Sequence, residues 1–161
     1  MRTTELKQTV PQVGRVEWIG TAAEKRGEIR ARDAVEVTTD GGLEGEHHSG
    51  GAERKRQVTL IQAEHLAVIG QLLGRDAVDP ARLRRNVVVS GINLLGLRDL
   101  RFRVGDVLLE GTGPCPPCGR IEENLGEGGY QAARGHAGIS ARVIEAGELR
   151  VGDEVRAVAN D

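Results

Sequence analysis

The sequence predicts a mainly β protein, a closed or half-closed barrel with one or two short helices. Three observations lead there: short segments rich in β-branched residues, glycine-centred turns between them, and a single stretch with sustained helical periodicity. With 161 residues, the chain fits one domain and leaves no room for a second core of normal size, so its motifs are expected to converge on one fold. We read residues 1–12 as a flexible arm, 13–158 as the folded domain and 159–161 as a tail.

The elements follow in order. Residues 1–12 are polar, lack periodicity and reach Pro11 before the first apolar run. Val13 to Ile19, Glu28 to Val37 and Gln57 to Ile61 are rich in β-branched residues and read as strands, with Gly41-Gly42-Leu-Glu-Gly45 forcing a tight turn between the last two. From Gln62 to Leu73, Ala63, Leu66, Ile69, Gly70 and Leu73 fall on one helical face and Gly74 supplies a stop. Asp79-Pro80 is a cap followed by proline at the first helical position, so Ala81 to Arg84 is expected to form a short turn. Asn86-Val-Val-Val-Ser90 reads as a buried strand closed by Gly91. Two near-identical segments, Arg103-Val-Gly-Asp-Val107 and Arg150-Val-Gly-Asp-Glu-Val155, each launch a strand from a Gly-Asp turn: Val107 to Glu110 and Glu154 to Val158. Arg120 to Leu125 is too short and polar to read as an amphipathic helix, and Gly126-Glu-Gly-Gly129 reads as a polar loop with no helix behind it.

Composition narrows the function. A net charge of -2 and 2% aromatic residues provide neither a basic field nor a stacking platform, so no nucleic-acid partner is expected. No apolar run is long enough to span a membrane and the first residues lack a signal core, so the expected location is cytoplasmic with no membrane partner. Of 22 basic residues three are lysines, leaving 19 arginines, whose fixed guanidinium fork suits anionic ligands. No flavin or NAD fingerprint is present, and none of the three lysines sits in a recognisable pyridoxal-binding context.

In a reducing compartment, two cysteines three residues apart point to reactivity or metal binding before a structural disulfide. In Cys115-Pro-Pro-Cys118 the prolines stiffen the backbone between the thiols and remove two N–H donors. Four readings compete. A thioredoxin-like redox pair needs an amphipathic helix starting at the motif. A structural zinc site lacks a second Cys pair and needs two of His47, His48, His65 and His136, so zinc is not expected. Two small buried hydrophobes would have no chemistry. The fourth reading is a single nucleophilic or metal-ligating thiolate, tuned by a nearby charge such as Arg120.

Gly42-Leu-Glu-Gly-Glu-His-His48, Arg56-Gln-Val-Thr-Leu-Ile61, Leu83-Arg-Arg-Asn86-Val-Val-Val-Ser-Gly91, Phe102-Arg-Val-Gly-Asp106, Pro117-Cys118 and Gly138-Ile-Ser-Ala-Arg142-Val occur in the order of the MOSC domain, the family named for the C-terminal domain of molybdenum-cofactor sulfurase. The resemblance covers roughly residues 13–158. It implies a MOSC fold, a pyruvate-kinase-barrel-like β-barrel, with a cleft holding the family's cysteine, here Cys118. The related mitochondrial amidoxime-reducing proteins carry Arg-x-Asn before a strand and a Cys-x-x-Cys whose second cysteine ligates molybdenum. Those positions match Arg84, Asn86 and Cys118, with Cys115 as an accessory.

The residues support that carry-over chemically. Molybdenum on a dithiolene pterin favours a soft thiolate, and the pterin phosphate favours guanidinium and amide donors. Arg84 and Asn86 stand at i and i+2, so on an extended segment both point the same way. Glu46 replaces the family's usual aspartate, which keeps a carboxylate on a longer stem. His48 matches a histidine often found two residues on, as a cleft-lining proton donor or hydrogen-bonding group. Arg134 and His136, flanked by glycines, suit a loop over an anion, and an inward-pointing Arg142 would need an anionic partner. Each has a plainer reading too: Arg84 as a solvated member of Arg82, Arg84 and Arg85, Asn86 as a strand opener, the others as surface residues.

These readings imply a protein that handles the molybdenum cofactor or sulfur through Cys118. As a persulfide carrier it would take sulfur from a pyridoxal-dependent cysteine desulfurase. As a molybdenum-dependent reductase of N-hydroxylated compounds it would need a separate redox partner. A non-catalytic anion-binding module is the third alternative.

Overall fold

The computed structural model describes residues 1–47 and 54–159. Strands β1 (Gly14–Thr21), β5 (Val58–Gln62), β6 (Val87–Ser90), β7 (Arg101–Val104), β8 (Val107–Pro114), β9 (Ile139–Glu145) and β11 (Glu154–Ala157) form a closed seven-stranded barrel. Closure comes from β11, which pairs antiparallel with β7 and with the start of β1 through Gly14 and Arg15. β2 (Arg30–Arg32) extends β1 outside the barrel, and β10 (Gly147–Arg150), β3 (Ala34–Thr38) and β4 (Gly42–Leu43) make a second, three-stranded sheet.

All contacts between neighbouring barrel strands are antiparallel except β5 with β6. A parallel pair needs a crossover, here α2 (Ala63–Leu72) and α3 (Pro80–Leu83). This pair is buried on both faces, which is why Val87-Val88-Val89 is continuously apolar. Leu60, Val87 and Val89 point into the barrel with Phe102, Leu109, Ile139 and Val143. Ile61 and Val88 point out, under a helical layer with Leu66 and Ile69 of α2, Leu83 of α3, and Ile121 and Leu125.

Strands β1, β5 and β6 and helix α2 lie within two residues of their predicted ends. Other expectations need correction. Glu28 to Val37 is not one strand: it breaks at Asp33 between β2 and β3, which belong to different sheets. Arg120 to Leu125 is helical after all, as α4 (Gly119–Leu125), because Ile121 and Leu125 at i and i+4 bury on the α2 layer while the polar residues face outward. A further helix, α5 (Gly129–Ala133), follows the left-handed Gly128 and buries Ala132 and Ala133. The arm contains α1 (Thr3–Lys7), which buries no residue. The helices therefore number five among the described residues, not one or two.

The two Gly-Asp segments abut. Gly105 takes the left-handed backbone (φ 57°) that a two-residue β7–β8 turn requires, and its N–H donates to the Glu154 carbonyl at 3.0 Å. A side chain on Gly105 would meet the Asp153 carboxylate at 2.2 Å.

Candidate functional site

β8 continues past its predicted end at Glu110 as far as Pro114, with register shifts against β9 at Leu108/Leu109 and Gly111/Gly113 that bend it across the barrel rim. The bend delivers Cys115-Pro-Pro-Cys118. Cys115 is 7% exposed, its thiol lies 3.0 Å from the Ser140 hydroxyl, and its N–H donates to the Gly138 carbonyl at 2.8 Å. Gly138 itself (φ 90°) runs so close to β5 that an added Cβ would fall 1.9 Å from the Leu60 carbonyl oxygen. Cys118 is exposed and caps α4 from an extended backbone, accepting the Ile121 N–H at its carbonyl. Both thiols are free.

Cys118 opens on a cavity of about 370 Å³ whose wall carries six cationic side chains, Lys25, Arg26, Arg56, Arg84, Arg85 and Arg120, and one carboxylate, Glu46. Such an excess of one sign favours an anion that relieves the mutual repulsion. Arg84 reaches it differently from the i, i+2 expectation: it is the left-handed C-cap of α3 (φ 58°, ψ 36°), not part of an extended segment, and it donates to the Gly27 carbonyl at 2.7 Å. Burial first, and the Arg120 charge next, hold the Arg84 guanidinium below its ordinary value, against the opposing pull of Glu46 and Cys118. It stays cationic at any working pH.

Arg85, 8% exposed, donates to three carbonyls: Ala137 at 2.8 Å, Leu83 at 3.2 Å and Pro116 at 3.3 Å. No carboxylate among the described residues pairs with it, so a buried positive charge is left beneath the cysteine loop. The sequence offered it only as the last member of the run Arg82, Arg84 and Arg85. Its one local signal was its place two residues before the buried strand β6. Arg56 was also missed. It stands where it does because the fully buried Gln57 amide next to it donates to the Thr39 carbonyl at 2.7 Å and accepts the Val143 N–H at 2.8 Å.

Asn86 and Glu46 line the same cavity but spend their polar atoms on the fold. Asn86 Oδ1 accepts from the Thr59 N–H at 3.2 Å and the Thr59 hydroxyl at 3.1 Å, while Nδ2 donates to the Gly20 carbonyl at 3.2 Å and to Glu46 Oε2 at 2.8 Å. Glu46 Oε1 accepts the Ala22 N–H at 2.8 Å and lies 3.5 Å from His47 Nδ1, with its side chain 7% exposed. These two residues build a rigid polar floor, and Asn86 has no spare amide to offer a ligand.

Three predicted residues lie elsewhere. Arg134 is exposed and bonds Gln131 at 2.9 Å. His136 packs edge-on against His65 of α2, with ring centroids 5.1 Å apart. Arg142 pairs with Glu110 across β8 and β9 at 2.7 Å, part-buried on the barrel wall and not in the cavity. His48 lies outside the described residues. Among those residues, no group of three or more His, Cys, Asp or Glu side chains converges on a metal position. Nor is any helix among them long and apolar enough to cross a membrane.

The structure is thus a closed β-barrel with one exposed thiol at the mouth of a cationic cavity. Residues 44–156 match the MOSC domain, and the chain belongs to that family. Similar solved structures include the YuaD protein from Bacillus subtilis, with TM-score 0.79, 22% identity, and coverage of 95% of this chain and 100% of that one. YiiM from Escherichia coli gives TM-score 0.69 at 19% identity over 91% of this chain and 71% of that one, and YiiM from Geobacillus stearothermophilus gives 0.74 at 16% over 91% and 75%. These likenesses establish the barrel. No curated protein matches the sequence.

Proposed function

We propose that the protein holds the molybdenum cofactor, with Cys118 as thiolate ligand and the cationic cavity as the seat of the anionic pterin phosphate. MOSC domains are associated with molybdenum-cofactor binding in general. The observation that carries the reading here is the exposed thiol opening on about 370 Å³ of space walled by six cations and one carboxylate. That volume falls within the usual range for small-molecule sites, and the donors fit the group: a soft sulfur for the metal, guanidinium forks for phosphate. When bound, the cofactor supplies the redox chemistry. The chain's own residues do the rest. Arg84 and Arg120 hold negative charge beside the thiol. Arg85 fixes the loop through the Pro116 carbonyl, and the Glu46–Asn86 floor keeps the opposite wall rigid. In a reductase of N-hydroxylated compounds, electrons come from a separate redox protein.

The asymmetry of the two thiols favours a second reading. Cys115 is buried against Ser140, so a donor protein reaches only Cys118. As a sulfur carrier, the Cys118 thiolate attacks the outer sulfur of a desulfurase persulfide, the donor's cysteine thiolate leaves, and Cys118 carries the persulfide. An acceptor thiolate reverses the exchange.

Anaerobic expression in a cofactor-competent host, followed by metal analysis and intact mass, tests both. Stoichiometric molybdenum that is lost in Cys118→Ser supports ligation, and a thiol-labile gain of one sulfur supports carriage. If neither signal appears, both readings fall, and Cys118→Ser retaining anion binding would leave a plain anion-binding module.

A further inference from the structure

The cysteine loop has a second face. Behind Cys115 and Pro116, away from the Cys118 thiol, lies a cavity of about 600 Å³, larger than the cationic one. Cys115, Pro116 and Arg56 line both, so the two cavities share a wall one loop thick. The lining is of a different kind. Leu94 and Ile139, both buried in the core, close its base, the prolines of the loop form one side, and Leu95 stands at the rim 55% exposed.

Few polar groups enter this space: Arg56, Gln62 and His65. Gln62 spends its Oε1 on the Leu94 N–H at 3.1 Å, which leaves its amide donors for other partners. Burial, then the neighbouring His136, hold His65 below the ordinary histidine value, with Glu64 opposing, so His65 is neutral around pH 7. His136 Nδ1 is buried with no hydrogen-bond partner among the described residues. Arg56, an exposed residue on the pocket lining and its one charged side chain, repels a cation. An apolar body with one acceptor fits, because the walls take the body and Arg56 donates to the acceptor at the wall shared with the thiol cavity.

We propose that this pocket receives the organic body of the substrate: a mainly apolar, non-cationic molecule whose hydrogen-bond acceptor turns to Arg56 at the wall separating it from the thiol cavity. The reading rests on the proposed function for its meaning as a substrate site, but its physical basis is independent of any bound cofactor. It separates two tasks, with charge handled on one face of the loop and apolar recognition on the other.

The test uses the full-length, cofactor-free protein and two probes of similar size, acetophenone and benzylammonium, followed by backbone amide chemical shifts. Acetophenone is expected to shift the amides of Leu94, Leu95, Gly138 and Ile139 saturably, and benzylammonium to leave them unmoved. Leu95→Asp, at an exposed position that does not threaten folding, is expected to weaken acetophenone about tenfold. Overturning results are the absence of saturable shifts, shifts centred instead on Arg84, Asn86 and Arg120, equal response to benzylammonium, or no loss in Leu95→Asp. Because no cofactor is present, failure here leaves the Cys118 reading standing, and a molybdenum-free and sulfur-free Cys118 leaves this pocket standing.

Discussion

On one face of the Cys115–Cys118 loop stand six cationic side chains and a single carboxylate; on the other stand Leu94, Leu95, Ile139, Pro114 and Pro117, with Arg56, Cys115 and Pro116 common to both. The difference is kept by backbone tethers, not by side-chain pairing across the loop. Arg85 holds the Pro116 and Ala137 carbonyls from below, and the Gly138 carbonyl holds the Cys115 N–H from the barrel side. A segment with two prolines has few N–H groups of its own, so its position depends on what grips its carbonyls and on the N–H of Cys115. Charge and apolarity stay apart because this thin partition is held at Cys115 and Pro116.

The largest effect on that partition is expected from Gly138→Ala. A methyl group 1.9 Å from the Leu60 carbonyl, at φ 90°, forces the loop off β5. Urea denaturation should show a loss of about 3–5 kcal/mol or no folded protein. A loss below about 1 kcal/mol would mean that the barrel-side clamp is slack. Next comes Arg85→Gln, which leaves the Pro116 or Ala137 carbonyl short of a donor and is expected to cost about 2–3 kcal/mol by the same measurement. Arg85→Lys should recover little of it, since one ammonium does not reproduce a fork that reaches three carbonyls. Full recovery by lysine would show that charge, not geometry, matters there.

Thiol labelling probes the two faces directly. Under native conditions iodoacetamide should modify Cys118 at least about a hundredfold faster than Cys115, a difference of about 2.7 kcal/mol in the cost of exposure, and the gap should close in denaturant. Similar native rates at the two sites would mean that the partition opens freely. The smallest effect concerns His65. Its folded-state value lies below the ordinary histidine value of about 6.5, so the unfolded chain binds more protons in that range. Its contribution to stability is present above about pH 6.5 and fades as the pH falls through the lower folded value. His65→Gln should therefore flatten the decline in melting temperature between pH 7.5 and 5, and an unchanged slope would assign the decline to other groups.

The strands that pack on both faces were the most readable in sequence, since Val87-Val88-Val89 and the α2 periodicity carry their burial in composition alone. α4 was not readable, because its two apolar residues gain meaning only from the layer that α2 and α3 place beneath it. The gathering of Cys118, Arg84, Asn86 and Glu46 came from motif order, with no local signal to connect segments thirty and more residues apart. Motif order also misjudged what Asn86 does: its amide looked like a ligand donor and is spent on Thr59, Gly20 and Glu46. Arg134 and His136 had loop glycines that suited an anion, but Arg134 stays exposed on Gln131 and His136 packs on His65 of α2. Arg85 and the apolar pocket were invisible, since both depend on which carbonyls and which rim residues the closed barrel brings together.

Closure by β11 has a consequence for how the chain reaches this state. Every other strand of the barrel precedes it in sequence, and it alone joins β7 to β1, a contact spanning almost the whole described chain. Until β11 docks, β7 and the Gly14–Arg15 end of β1 lack a partner at once, which is the hazard that a finished barrel removes. Joining strands so far apart also makes the last step slow, since the loop entropy is lost before the pairing is gained. The paired Gly-Asp turns, meeting through the Gly105 N–H and the Glu154 carbonyl, stand at the start of that final strand and tie it to the β7–β8 turn.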